Sequence, residues 1–579
     1  MFKSVTSKIV LVSIIASLAL VGCSKSDKES ASSANFAAAG AILDYVPADS
    51  PYLFASITPM PDEVMDKLGP NIDRILAAYE SVLHELFAMA TEDVGADDED
   101  AQRASAVFGE LSSLLSIDGL RAAGFDRKSR SAFYGNGLLP VLRLEVTDGA
   151  LFEAALLRLE ESSGEEMELM TIAGNEVRFV TAEEYKLLIA VLDRQVVISA
   201  APDNFSDEQL STLLGFTAPV ANITDSGQLQ SIASKYGFGD YFIGYFDFAG
   251  IANTFTGGAS GLDVELVASL SNPDDISDVC REEIRSIAGV APRMVMGYTA
   301  ITTERFDSKV VLELRSDIAK GMQKLVAPVP GLGVDPGGLL SFGMSLDIME
   351  MRDFIETQLD AIEADPYACE VFADMDEGVA QARAALAQPM MPMIYDFRGF
   401  LALIENIEGL DMATQSPPTA VDGQFLLAMR DAPAMISLGA MFSPDLAGLD
   451  LKADGKPALL DLPEAKMAGG DVYIAMNDDA LALSVGDGSE MQLGDMLSAD
   501  VSDNGTLFSF SMDAGRYYAF AGEAMAEAQD DADNPMTPAM KEATQDVMSA
   551  MADMFDRMSL NVLLTQDGIV MEGVETLAE

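Results

Sequence analysis

Residues able to do chemistry are sparse in this chain of 579 residues. Its one histidine, His84, sits in IDRILAAYESVLHELF, and Ala88 occupies the position where a helical metal-ligand partner would stand. It reads as a packed or solvent-facing structural histidine. G-x-S-x-G, S-x-x-K, a P-loop and G-x-G-x-x-G are absent in usable context. Gly257-Gly258-Ala259-Ser260-Gly261 has the composition of a phosphate cradle but no lysine. There is no C-x-x-C, so a redox-active dithiol or a zinc site has no support. Carboxylates number 93, too many for any pair to be singled out for general acid–base work. The absence of tryptophan weighs against a sugar-binding cleft. Asp530, Asp531 and Asp533 could attract Ca²⁺ loosely, without an EF-hand pattern. Met390, Met391 and Met393, and Met548, Met551, Met554 and Met558, are soft thioether clusters of a kind that suits Cu(I). Adaptable core packing or an apolar partner groove is the preferred reading, because no His or free Cys joins either cluster. Arg121, Arg127, Lys128 and Arg130 form the one basic concentration, read as a surface turn before a strand. No catalytic residue, cofactor site or metal site is assigned on these grounds.

One residue does carry a chemical assignment. Cys23 ends Leu20-Val21-Gly22-Cys23, after a positive region with Lys3 and Lys8 and an apolar run from Ile9 to Leu20. That run is shorter than the roughly 20 apolar residues a bilayer span needs. The segment resembles a bacterial lipoprotein signal, which is cut before a cysteine that then becomes lipidated. The resemblance implies a signal peptide over residues 1–22 and a lipid anchor on Cys23. One acyl chain holds weakly, at about 0.8 kcal/mol per buried CH₂, so a stable anchor takes two or three. Ser24 stands where an Asp would resemble an inner-membrane retention signal, which implies the outer membrane, with the body facing the periplasm. Residues 23–41 then comprise the lipidated cysteine and a polar, Ser/Ala-rich tether.

With Cys23 consumed, Cys280 and Cys369 remain in an oxidising compartment, where one disulfide between them is expected; two separate thiols are the alternative. The formal net charge of −58 disfavours nucleic acid and anionic lipid faces. A high-salt habitat would also select such a composition. Hydrophobic residues make up 49%, which places the body among globular chains, and its length calls for more than one domain.

The elements repeat in order. KLLIAVLDRQVVIS (186–199) matches DVYIAMNDDALALS (471–484), with Ile189, Ala190, Asp193 and Ser199 aligned on Ile474, Ala475, Asp478 and Ser484. Each reads as a β-hairpin. Each is followed by a short helix and then a strand feeding a helix through an Asp cap, Asp247 or Asp513. PYLFAS from Pro51 pairs with LLSFGMS from Leu339 as a strand entering a helix. The expected fold is α+β: two related halves from an internal duplication, each a mainly antiparallel sheet with helices packed on one face. The halves run over 42–320 and 337–579, with a Pro/Gly connector at 321–336. The entry motif Pro47-Ala48-Asp49-Ser50-Pro51 before YLFASI resembles a group of uncharacterised bacterial envelope proteins, which implies no activity and no site residue.

These readings converge on a non-enzymatic binding or structural module of the cell envelope. It would have no cofactor and no nucleic-acid partner. Cys23 would hold it to the lipid bilayer, and an envelope protein would be its partner. A metal-handling (Cu or Ca) lipoprotein and a carboxylate-based hydrolase are the alternatives.

Overall fold

A computed structural model describes residues 40–91, 99–114, 116–270, 276–409, 419–442, 444–460, 470–486, 488–528 and 537–579. The signal segment, Cys23 and all but the last two tether residues lie outside these. The chain is mixed α and β, with extensive antiparallel sheet. It divides into two compact units. The first comprises residues up to Ile276, Pro292–Lys309 and Met536–Ala550; the second comprises Ser277–Ala291, Val310–Pro535 and Met551–Glu579.

The strands of the first unit are β1 (Tyr52–Ser56), β2 (Ser131–Asn136), β3 (Leu139–Glu145), β4 (Glu168–Ile172), β5 (Asn175–Ala182), β6 (Tyr185–Val191), β7 (Gln195–Pro202), β8 (Phe242–Asp247) and β9 (Arg293–Ile301). They pair antiparallel in the order β4-β5-β6-β7-β3-β2-β1-β8-β9. β10 (Arg305–Glu313) carries the chain onward. The second unit has β11 (Leu340–Ser345), β12 (Phe397–Glu408), β13 (Ala420–Met429), β14 (Ala458–Leu460), β15 (Val472–Met476), β16 (Ala480–Val485), β17 (Thr506–Asp513), β18 (Phe555–Thr565) and β19 (Gly568–Leu577). These pair in the order β14-β15-β16-β13-β12-β11-β17-β18-β19. From β5 to β9 and from β14 to β18 the two orders are the same.

The likeness extends to individual hydrogen bonds. Ile189 faces Ile198 across one hairpin, and Ile474 faces Leu483 across the other. The Gly149 amide donates to the Asp193 carbonyl at 2.8 Å; the Ala432 amide donates to that of Asp478 at 3.0 Å. Asp148 and Asp431 then cap the helices Gly149–Ser163 and Ala432–Gly439 through side-chain oxygens. Asp247 and Asp513 each accept a main-chain amide three residues on, both at 2.8 Å. These Asp carboxylates satisfy amides that the first helical turn leaves unpaired.

The expected placement of helices on one face needs correction. On the second sheet Leu427, Leu481 and Ile474 pack with the helix Ala432–Gly439. Their strand neighbours Leu426, Ala475 and Ala482 pack on the other face with Leu493 and Leu497. On the first sheet Leu142, Leu144 and Ile198 meet Phe152 and Leu156 of the helix Gly149–Ser163. The opposite face there is buried too, at Val141, Val197 and Leu188. Successive side chains point to opposite faces, so consecutive apolar residues demand cover on both. Nor is 321–336 a bare linker. Val329 and Leu332 join the second unit's core, and Gly331 donates to Asp500 at 3.1 Å.

Replacing either Asp cap should cost about 1 kcal/mol. Asp148→Ala and Asp431→Ala are expected to lower the urea midpoint while the Asn variants stay near wild type. Equal losses for Ala and Asn would refute the capping role.

Candidate functional site: an apolar strip on the second sheet

The residues singled out from sequence are dispersed. His84 is exposed and stands nearly perpendicular to the Phe108 ring, with ring centroids 5.9 Å apart. Arg127 is paired with Asp66 at 2.7 Å and Arg130 with Glu145 at 3.8 Å, and Arg121 bonds Asp118, so three of the four basic residues are engaged locally. Among the described residues no group of three or more His, Cys, Asp or Glu side chains could hold a metal ion. Asp530, Asp531 and Asp533 lie outside the described residues. Met391 is exposed, whereas Met554 is buried in the core.

Cys280 and Cys369 are brought together, with their sulfurs 2.06 Å apart, at disulfide distance. Both are buried. Ser277 caps the helix Asp278–Ala288 through the Cys280 amide. Glu283 of that helix accepts from the amides of Ala368 and Cys369 at 2.8 and 3.0 Å.

Three polar clusters were not legible in sequence. Arg143 is fully buried. It donates to Gln195 Oε1 and the Leu214 carbonyl, both at 2.7 Å, and lies 3.9 Å from the centre of the Tyr45 ring. Ladder pairing puts Arg143 opposite Val197 and Leu426 opposite Ala482, so the matching position of the second sheet is an equally buried leucine. In the second unit Asp335 bonds Arg557, accepts from Ser511 Oγ at 2.9 Å, and Ser511 bonds Ser341 at 2.7 Å. Burial pushes the Asp335 carboxyl up, but bonds from Arg557, the Gly337 amide and Ser511 outweigh it and hold it below its ordinary value. The third cluster lines a cavity of about 130 Å³ in the first unit, with Leu159, Glu160, Glu166, Glu168 and Phe179 on its wall. Its least exposed carboxylate, Glu160, is 3.3 Å from Arg178 Nε and accepts the Met167 amide at 3.1 Å. Asp335–Arg557 and Glu160–Arg178 are thus paired in the manner of structural ion pairs, whereas Arg143 is held by neutral groups and keeps its buried Nε without a hydrogen-bond partner.

A further feature without such a pairing is apolar. On β11, Ser341 and Ser345 are buried on one face, and Leu340, Phe342 and Met344 point to the other. Ladder register aligns Phe425, Ala402, Phe342, Phe510 and Leu560 into one row across β13, β12, β11, β17 and β18. Four strand spacings make this row about 19 Å long. Phe400 lies 5.9 Å from Phe342 and 6.0 Å from Phe425, ring centre to ring centre. Phe342, Phe425 and Leu560 keep 36%, 36% and 37% of their surface exposed. The helix Ala432–Gly439 covers this face at one end, against Leu427 and Leu481. At the other end the helix Ala514–Ala528 covers it, where Tyr518 Oη approaches Met558 Sδ at 4.0 Å. The apolar exposure continues onto both helices' surroundings, at Tyr517, Leu438, Met441 and Phe442. The first sheet has an analogous row through Phe133 and Phe54, but Gly244 stands next in it where an aromatic follows in the second. A contiguous apolar face left open is a mark of a binding surface. Period-two alternation of serine with Leu, Phe and Met in LSFGMS was its only sequence signal.

Glu575 is a carboxyl aligned with this face, paired with Met558 across the ladder. Burial alone pushes its carboxyl above the ordinary value. A raised carboxyl favours the protonated form in the fold, so the wild type is penalised as pH rises through the folded value. Glu575→Gln should therefore raise the melting temperature at pH 7 and leave it unchanged below the ordinary carboxylate range. The same gain at both pH values would contradict this. Replacing both Cys280 and Cys369 by serine should cost up to about 4–5 kcal/mol by loop entropy. An unchanged denaturant midpoint would show that the pair adds no stability. No family model, curated protein or solved structure matches the chain.

Proposed function

We propose that this is a lipid-anchored protein of the bacterial outer membrane that works by binding rather than by catalysis. Cys23 would carry the anchor, and residues 24–41 would tether the body on the periplasmic side. The open apolar row Phe425–Ala402–Phe342–Phe510–Leu560 carries the binding reading, because exposed Phe and Leu in the middle of a sheet are costly unless something covers them. The cysteine pair at disulfide distance is in keeping with an oxidising compartment. We also infer that the two units arose by internal duplication. Their common strand order and matching Asp caps support this.

In-cell cross-linking of the full protein, followed by affinity recovery and mass spectrometry, tests the reading. The N-terminal peptide should begin at an acylated Cys23, and a recovered envelope component should be lost in Cys23→Ser. An unacylated Cys23 would overturn the anchor. An identical set of recovered components from both forms would overturn the claim that binding depends on it.

A further inference from the structure

We propose that Arg143 and Tyr134 of the first unit bind a small monovalent anion of the halide class, such as chloride. This goes beyond the reading of the protein as an anchored binding module and does not depend on it.

Arg143 is fully buried, and so is Tyr134. They share one face of neighbouring strands: Ala132 is the ladder partner of Arg143, and Tyr134 stands two residues further along β2. The two groups feel each other. Burial pushes the Tyr134 hydroxyl up, and the charge and approach of the Arg143 guanidinium pull it the other way. Yet neither Arg143 Nε nor Tyr134 Oη has a hydrogen-bond partner. Both carry a proton to donate, so the group that satisfies the pair is an acceptor.

Charge decides between a water and an anion. The bonds that Arg143 does make go to neutral oxygens, Gln195 Oε1 and the Leu214 carbonyl. Among the described residues no carboxylate pairs with it. A buried cation is costly unless it is neutralised as well as hydrogen-bonded. Water would meet the donors and leave the charge; an anion meets both demands. Size follows from the surroundings. The Tyr45 ring lies over the guanidinium, 3.9 Å from its central carbon, and a Cβ added to Gly215 would stand 2.4 Å from Nη2. Ring and backbone close in on the head group, which favours a monatomic ion over a phosphate or an organic acid. At the matching position of the second sheet stands Leu426, and no charge there calls for a counter-ion.

Two measurements test this. Crystals of the full protein grown in sodium bromide should show an anomalous peak within hydrogen-bond reach of Arg143 Nε and Tyr134 Oη. In solution, sodium chloride is exchanged stepwise for sodium gluconate at constant ionic strength, so that screening stays fixed. A ligand that binds only the folded chain raises its melting temperature as its concentration rises. The wild type should therefore melt higher with more chloride. Tyr134→Phe, which removes one donor, should need roughly fivefold more chloride for half the rise. Arg143→Leu, which puts there the residue that the second sheet carries, should not respond at all. Circular dichroism identifies a variant that fails to fold; if Arg143→Leu does, Tyr134→Phe decides. A water in place of the bromide peak would overturn the proposal. So would a chloride response unchanged in the folded variants, the mark of an adventitious ion only. Acylation of Cys23 and recovery of an envelope component leave both readouts untouched, so this proposal and the anchored-binding reading fail separately.

Discussion

Antiparallel pairing between β3 and β7, and between β13 and β16, is the constraint on which the rest of each unit depends. Each pairing joins the hairpin at one end of its sheet to the remaining strands. Once these ladders are in register, every side chain is assigned to a face, because a one-residue slip would move the whole apolar set to the wrong side. Two helices are then fixed in turn. One starts where an amide reaches back to the hairpin loop, at Gly149 or Ala432. The other follows the hairpin and covers the opposite face, as Leu493 and Leu497 do in the second unit.

The same scaffold is furnished differently in the two units. Where the second sheet buries Leu426, the first buries Arg143 with a glutamine, a carbonyl and a tyrosine ring around it. Burying a cation without a carboxylate is costly unless its donors are met, and a ring face offsets part of that cost. Arg143 also holds Tyr45, which follows the helix Gly40–Leu43, against the first sheet. The second sheet places its polar groups elsewhere, as the serines and Asp335–Arg557 behind the aromatic row. That network holds β11 and β17 together from the face opposite the aromatic row.

An open apolar strip on a rigid sheet is a different device from an active site. Its floor is positioned by ladder hydrogen bonds rather than by loops, and it offers area rather than directed polar groups. Recognition there would follow shape and the release of water.

How much was readable beforehand follows from the range of each interaction. The hairpins at 186–199 and 471–484, the caps Asp247 and Asp513, and the α+β class were legible because alternation and capping are local. The Cys280–Cys369 pairing was legible because only two candidates remained once Cys23 was assigned. Burial of both sheet faces was misread, since an apolar run does not state which neighbour covers it. Packing of Val329 and Leu332 was missed because the Pro/Gly content of 321–336 reads as a linker. The aromatic row lay beyond the sequence altogether. Phe342, Phe425, Phe510 and Leu560 are far apart in the chain, and only strand order and register align them. The sequence by itself determined the local elements and the chemistry on hand. Tertiary structure decided which face each side chain shares and which is left open, because those depend on pairings between distant strands.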